Sequence, residues 1–300
     1  MSIRLAEKTM EAIENAIAAD QGAAFRKYLG QIIPHMSDAY RGESESFRTH
    51  LGASMLGSPC ARSLWYGFRW ATKPSHSGRI LRLFNRGHLE EARFIAMLLT
   101  IGCQVYQHDE KGNQFRISDA GGHLGGSTDG VVIGIPDLPP GMPCLTEFKT
   151  HGEKSFIKLK KEGVKVSKPE HYVQMQIYMR KMGLTVALYM AVNKNTDEVY
   201  AEIILLDSTH ADHYLERGNK IIFMAELPEK INKSPGWFEC SFCDHKDLCH
   251  SKGVPDMNCR TCMFSFPRED GAWVCKHHDQ VIPKEVQFKG CNSYSRSQVI

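Results

Sequence analysis

Seven of the ten cysteines in this 300-residue chain fall between Cys240 and Cys291, and no other feature narrows the possible folds as much. They form two groups, Cys240-x2-Cys243-x5-Cys249 and Cys259-x2-Cys262-x12-Cys275-x15-Cys291. The start, Met1-Ser2-Ile3-Arg4-Leu5-Ala6-Glu7-Lys8, is charged and lacks the apolar core of a signal peptide, so the expected compartment is the cytoplasm. In a reducing compartment dense Cys-x2-Cys spacing points to metal, because disulfides do not persist there. From Pro228 onward apolar periodicity fades, and about seventy residues remain that are too irregular to bury a core of their own. They are expected to need metal to fold. The four thiols of the second group suit a tetrahedral zinc site, with His277 or His278 able to replace Cys291. The first group is a trio that requires a fourth ligand, and Cys60, in Ser58-Pro59-Cys60-Ala61-Arg62, is the candidate. Cys103 and Cys144 sit in strand-like contexts and are expected only to pack.

Ahead of the cysteines the chain reads as an ordinary globular α/β protein, 42% hydrophobic and 24% charged. No apolar run approaches the roughly 20 residues that span a bilayer, so no membrane partner is expected. Apolar spacing predicts helices over 5–31, 63–71, 79–101, 153–162, 169–182 and 208–227, the last capped by Asp207 or Ser208. Ser37 to His50 reads as a loop or short helix. Short runs at 104–107, 114–117, 124–127, 131–133, 145–148, 185–192 and 198–206, separated by Gly, Pro, Asp and Asn, predict strands. This order is that of a mixed central sheet flanked by helices, with a helical N-terminal region over 1–58, a core over 59–250 and a cysteine-rich metal-binding segment over 251–300.

Three segments place acids where a metal-dependent phosphodiesterase needs them. Gly87-His88-Leu89-Glu90-Glu91 lies in the long helix, Gly125-Gly126-Ser127-Thr128-Asp129-Gly130 joins two strands, and Leu145-Thr146-Glu147-Phe148-Lys149 is itself a strand. Period-two alternation puts Glu147 and Lys149 on one side of that strand. Magnesium prefers oxygen ligands, typically one or two carboxylates completed by water and phosphate. Asp129 and Glu147, with the Phe148 carbonyl, would hold Mg2+ or Mn2+, and Glu91 would hold a second ion or its water. Lys149 would orient or deprotonate the attacking water, or offset developing charge. Asp109-x-Lys111 and Asp244-x-Lys246 repeat the short spacing, but lie in a polar turn and between cysteines, with no apolar strand around either.

Gln174 and Tyr178, in His171-Tyr172-Val173-Gln174-Met175-Gln176-Ile177-Tyr178, fall one turn apart on a shared helix face. With them, the ordered set of Gly87 and Glu91, Gly126 and Asp129, Glu147 and Lys149, and Gln174 and Tyr178 resembles the RecB-type and lambda-exonuclease-type branches of the PD-(D/E)XK nucleases. The resemblance covers roughly residues 50–250. Thr128 stands where the superfamily name has Pro, and Glu91 holds the place at which some relatives carry a metal-binding His, with His88 out of register. One distant cysteine followed by Cys-x2-Cys-x5-Cys resembles the iron–sulfur nucleases, both the CRISPR-associated single-domain enzymes and the AddB-type domains. That resemblance implies a 4Fe–4S cluster on Cys60, Cys240, Cys243 and Cys249, beside the catalytic core.

The net charge of +3 neither demands nor excludes nucleic acid, so local clusters carry the DNA-contact expectation. Arg79, Arg82, Arg86 and Arg93 share one stripe of the long helix; Lys154, Lys158, Lys160, Lys161, Lys165 and Lys168 crowd another stretch. The candidate DNA contacts are Arg62, Arg82, Arg86, Lys154, Lys158 and Lys161. The resemblance implies a DNA exonuclease of recombination, repair or phage DNA processing in a bacterial or phage-infected cell, with a recombination or replication protein as a further partner. The alternatives are a CRISPR-adaptation nuclease and a non-catalytic, metal-stapled DNA-binding protein.

Overall fold

A computed structural model describes residues 3–36, 40 and 48–297. The helices are α1 (Glu7–Ala19), α2 (Ala23–Ile32), α3 (Ala61–Phe68), α4 (Gly78–Thr100), α5 (Glu153–Ser167), α6 (Pro169–Met182), α7 (Ser208–Phe223), α8 (Phe238–Ser241) and α9 (Lys246–His250). The strands are β1 (Leu51–Gly52), β2 (Gln104–Tyr106), β3 (Arg116–Asp119), β4 (Leu124–Ser127), β5 (Gly130–Ile133), β6 (Cys144–His151), β7 (Val186–Asn193), β8 (Val199–Leu205), β9 (Ser265–Pro267), β10 (Trp273–Cys275) and β11 (Gln280–Ile282). The chain divides into two compact units, each assembled from three separate stretches: 1–42, 76–117 and 127–212 in the first, 43–75, 118–126 and 213–300 in the second. Among the described residues no helix is long and apolar enough to cross a membrane.

The first unit is built on a five-stranded mixed sheet in the order β2-β5-β6-β7-β8. β6 and β7 run parallel at its centre, with Glu147 opposite Tyr189 and Lys149 opposite Ala191; the other pairings are antiparallel. β7 is buried along its whole length, as expected of a central strand covered on both faces. The core joins Phe94, Ile95, Met97 and Leu98 of α4 to Val132, Phe148, Leu188 and Met190 of the sheet. Cys103 and Cys144 pack there, and burial pushes the Cys103 thiol up to about 11.

Two termini of α6 obey simple rules. Pro169, which lacks an N–H, occupies the first turn, and Gly183, at φ 70°, closes the end. Asp207 accepts from the His210 N–H at 3.0 Å and caps α7. That helix ends at Phe223, four residues earlier than the spacing suggests. The expected strand at 114–117 forms at Arg116–Asp119 instead, because Asp109 gathers the Lys111 and Asn113 N–H groups into a turn just upstream.

The single helix expected over 5–31 is broken in two. Gly22 adopts φ 81°, and the Asp20 carboxylate accepts from the N–H groups of Gly22, Ala23 and Ala24 at 2.8–3.0 Å. Asp20 thereby satisfies the orphan donors that open α2. The Ser37–His50 stretch lies mostly outside the described residues.

The second unit pairs β1 with β4 in parallel and folds β9, β10 and β11 into an antiparallel meander. Its interior is aromatic: Trp65, Phe68, Trp70 and Trp273 are all buried. Two arginines are buried among them. The Arg260 guanidinium lies 3.7 Å from the Trp70 ring centre and 4.7 Å from that of Trp273. It donates to the carbonyls of Phe68 and Thr49 and to Gln287 Oε1, each at 3.0 Å. Arg69 stacks on Trp65 at 4.5 Å. Regular structure is sparse here, yet the unit has a hydrophobic interior, assembled by bringing residues near 50–75 against residues beyond 213.

Candidate active site

The acidic site lies wholly within the first unit. Alternation along β6 sends Phe148 into the core, stacked on Phe94 at 5.1 Å, and sends Glu147, Lys149 and His151 to the opposite face. Glu147 is fully buried. Its Oε1 meets the Lys149 ammonium, and its Oε2 accepts from Gln174 Nε2 at 3.0 Å. α6 thus delivers Gln174 to the strand acid, while Tyr178, one turn on, is buried.

Asp129 reaches the same place from the turn before β5. Its Oδ2 accepts from the Phe148 N–H at 2.8 Å, which ties the turn to the strand beside Glu147. Gly130 makes this turn possible. It takes φ 148°, and a Cβ there would stand 2.7 Å from the Tyr106 carbonyl oxygen. Glu91 approaches from α4, with His88 Nδ1 3.8 Å from its Oε1.

The electrostatics show crowding of like charge. Burial, reinforced by the charges of Asp129 and Glu147 and opposed by Lys149, raises the Glu91 carboxyl to about 8. Burial likewise raises Glu147 to about 7, with Lys149 opposing and Asp129 reinforcing. Lys149 itself is held well above its usual range: the three acids outweigh its desolvation. One ammonium therefore faces three carboxyl groups. Among the described residues no three His, Cys, Asp or Glu side chains enclose a position for a single ion. A magnesium site asks for less, namely one or two carboxylates with the remaining places open to water and phosphate. Asp129, Glu147 and the Phe148 carbonyl, to which Lys149 donates at 3.2 Å, are a fitting donor set.

A cleft of about 340 Å³ opens beside these groups, lined by Glu90, Glu91, Phe148, Lys149, Thr150 and Lys194 among others. Arg82 and Arg86 are exposed on α4 near its rim, and Arg86 donates to the Lys194 carbonyl at 3.1 Å. Arg93, on the same stripe, is engaged by Glu90 at 3.3 Å and Asp197 at 3.5 Å. Along α5, Lys154 and Lys161 are exposed, Lys158 pairs with Glu162 at 3.7 Å and Lys160 pairs with Glu198.

Three polar residues near the site escaped the sequence reading. Tyr189 of β7 is hydrogen-bonded through its hydroxyl to His151 Nε2 at 2.8 Å and to His171 Nδ1 at 3.0 Å. Burial, aided by nearby Lys149 and Lys168, lowers His151 to about 3 and His171 to about 2, so both rings are neutral. The available signal was periodicity: His151 continues the Glu147–Lys149 alternation, and His171 precedes Gln174 by three on the helix.

The second unit brings each cysteine group together. The buried Cys240 thiol is raised first by desolvation and then by Cys60, Cys249 and Cys243, so all four lie within electrostatic reach. Cys60 Sγ accepts from the Ser63 N–H at 3.4 Å, and Arg62 Nη1 stands 4.0 Å from Cys249 Sγ. Desolvation pushes Cys259 up to about 11, followed by the charges of Cys291, Cys262 and Cys275. His278 Nε2 lies 3.8 Å from Cys291 Sγ. Neither group is closed tightly enough to enclose a single ion.

No family model matches the chain, and no curated protein matches it. Among solved structures, the alkaline exonuclease LHK-Exo from Laribacter hongkongensis aligns at TM-score 0.42 and 17% identity, over 58% of this chain and 86% of its own. LHK-Exo in complex with dAMP aligns at 0.41 and 15%, over 58% of this chain and 86% of its own. SSO0001 aligns at 0.39 and 13%, over 77% of this chain and 96% of its own. At these scores the likeness is distant.

Proposed function

We propose that this chain is a divalent-metal-dependent deoxyribonuclease of the PD-(D/E)XK type, acting as an exonuclease in recombination, repair or phage DNA processing. The observation that carries the reading is the crowding of Glu91, Asp129 and Glu147 around one lysine, Lys149, which lines a cleft together with Glu91. Acids held protonated by burial and by one another give up those protons to a cation, and the donors present are the hard oxygens that magnesium or manganese takes.

Bound Mg2+ or Mn2+ would supply Lewis acidity toward a phosphate and lower the pKa of its water. Asp129, Glu147 and the Phe148 carbonyl would hold the ion, with Glu91 assisting from α4. Gln174 keeps one oxygen of Glu147 fixed, so the carboxylate does not turn away. Lys149 is held protonated and thus acts as a cation: it orients the attacking water and offsets charge on the phosphate. The held proton argues against Lys149 as the group that takes the water's proton. Arg82, Arg86, Lys154, Lys158 and Lys161, with Arg62 of the second unit, serve as DNA backbone contacts.

The cysteine groups are assigned structural roles. Cys60, Cys240, Cys243 and Cys249 hold a 4Fe–4S cluster, which is larger than one ion and so accepts thiols standing farther apart. Cys259, Cys262 and Cys275, with Cys291 or His278, would hold zinc only by drawing in around the ion, since as they stand they do not enclose one. Protein purified without oxygen should be brown and contain about four irons per zinc; colourless protein with two zincs removes the cluster and leaves the nuclease.

Labelled linear and circular DNA, single- and double-stranded, incubated with protein and magnesium, tests the activity. Linear DNA should shorten from its ends, and Glu147→Gln should slow this by about 10²–10³-fold. Equal rates for wild type and Glu147→Gln would mean that Glu147 does no chemistry, and no cleavage by either would leave at most a DNA-binding protein.

A further inference from the structure

One basic residue of the acidic cleft takes no part in holding a metal. Lys194 lines the cleft together with Lys149 and Glu91 and is half-buried there. The cations around it are engaged: Lys149 by Glu147, Arg93 by Glu90 and Asp197, and Lys160 by Glu198. Lys194 pairs with no carboxylate among the described residues. Burial, and after it Arg86, lowers its ammonium below the usual lysine range, and no acid offsets them. A cation held in this way gains most from an anion that enters the cleft.

The backbone fixes where that charge originates. Lys149 lies opposite Ala191 in the parallel register, and Lys194 follows Ala191 by three residues, roughly 10 Å farther along. The Lys194 N–H donates to the His151 carbonyl at 2.8 Å, and its own carbonyl accepts from Arg86 Nη2 at 3.1 Å, which ties the turn to α4. Asn193 Oδ1 accepts from the Asn195 N–H at 3.1 Å, and Asn193 Nδ2 donates to Glu153 at 2.8 Å. One lysine of the cleft therefore stands among the acids and the other beyond them, on a turn that is set before any ligand arrives.

The wall on α4 is apolar. Leu83 and Phe84, 38% and 44% exposed, line the same cleft, and the Phe84 ring meets His76 edge to face at 5.2 Å. Phe84 precedes Glu91 by seven residues, two turns along one helix face. Gly87 lies between them, and a Cβ there would meet nothing within 4 Å, so the wall is open at its middle. A nucleotide strand alternates in the same way: a phosphate for a cation, then a sugar and base for an apolar face.

We propose that Lys194 binds the phosphate next to the one that is cut, with Leu83 and Phe84 against the sugar and base between the two. This rests on the reading that DNA is hydrolysed at the Glu147 site and narrows the substrate to a strand with two consecutive charged phosphates. An apolar face accepts any base, so the subsite is indifferent to sequence.

Steady-state cleavage in magnesium tests the subsite. The substrates are an oligothymidylate, the same strand with one neutral methylphosphonate on either side of the first bond cut, and the p-nitrophenyl ester of thymidine monophosphate, which has a single phosphate. Lys194→Gln should raise KM for the charged strand about tenfold and leave kcat within about twofold. On one side of the bond the neutral linkage should cost wild type the same factor, about tenfold, and cost Lys194→Gln nothing more. Lys194→Arg should restore most of the wild-type KM. Both proteins should hydrolyse the single-phosphate ester equally, and Phe84→Ala should raise KM for the strand about fivefold.

Equal KM in wild type and Lys194→Gln, or neutral linkages that harm both proteins alike, overturns the subsite. Slower hydrolysis of the single-phosphate ester by Lys194→Gln also overturns it, and moves Lys194 to the reacting phosphate. An unchanged KM in Phe84→Ala overturns the apolar half. The two readings fail separately. If wild type cuts nothing, the nuclease falls and anisotropy in chelator decides the subsite: binding of the charged strand about tenfold weaker in Lys194→Gln keeps it, and equal affinity overturns it. Cutting that depends on Glu147 and not on Lys194 does the reverse.

Discussion

The two units bury charge by opposite means. In the first, Glu147 is fully buried against Lys149, and the charge of Asp129 helps burial to raise the carboxyls of both Glu147 and Glu91. In the second, Arg69 and Arg260 are 5% and 2% exposed, and among the described residues no carboxylate contributes to the environment of either. Carbonyl oxygens and tryptophan faces satisfy Arg260 from every side. A charge whose partners are all present has no reason to bind anything further and acts as a staple. Surplus like charge beside a cleft is an open valence. On the proposed reading, this difference is why chemistry is assigned to the first unit.

The largest effect should come from breaking the staple. Arg260→Ala leaves three acceptors without their donor, at about 1–3 kcal/mol each, so a loss of at least roughly 3 kcal/mol is expected. Hydrogen exchange should localise that loss to the second unit. Loss of protection spread evenly over β6 and β7 would show that the contrast between the units is wrong.

The next effect concerns pH. An unfolded glutamate ionises near 4.5, whereas Glu147 and Glu91 hold their protons to about 7 and about 8. Between these values the folded state binds more protons than the unfolded one, so stability falls as pH rises. Below about 4.5 both states are protonated and these two groups contribute no loss. Thermal unfolding in chelator should therefore shift downward from about pH 5 to about pH 8, and added manganese should oppose the shift most at the alkaline end. Arg260, lowered to about 9, stays protonated across this window and adds no slope. A profile that is flat in wild type would remove the crowding.

The smallest effect separates placing an acid from being one. Gln174→Ala deletes one hydrogen bond to Glu147 Oε2 and should lower DNA cleavage about tenfold, far less than Glu147→Gln. A loss as large as that of Glu147→Gln would make Gln174 part of the reacting centre.

Much of the first unit was legible because its elements are local. β6 showed Glu147 and Lys149 on one side by alternation, and Pro169 and Gly183 marked both ends of α6. The break between α1 and α2 was also written in Asp20-Gln21-Gly22, but the apolar spacing on either side masked it. The second unit was far less legible. Its interior joins residues separated by 150 or more positions, as Arg260 with Phe68 shows at a separation of 192, and no periodicity reports such a pairing. Arginine in a sequence also suggests surface, so Arg69 and Arg260 gave no sign that tryptophan rings would bury them. The His151–Tyr189–His171 triad needed β7 beside β6, a neighbour relation that only the fold supplies.

Manganese binding, followed by the ion's paramagnetic resonance signal, tests the acidic site most directly. Wild-type protein at neutral pH should bind the ion and release protons as Glu91 and Glu147 ionise, and Asp129→Asn and Glu147→Gln should each bind at least about tenfold more weakly. Equal affinity in wild type and both variants would contradict the assignment of Asp129 and Glu147 as the groups that hold the metal.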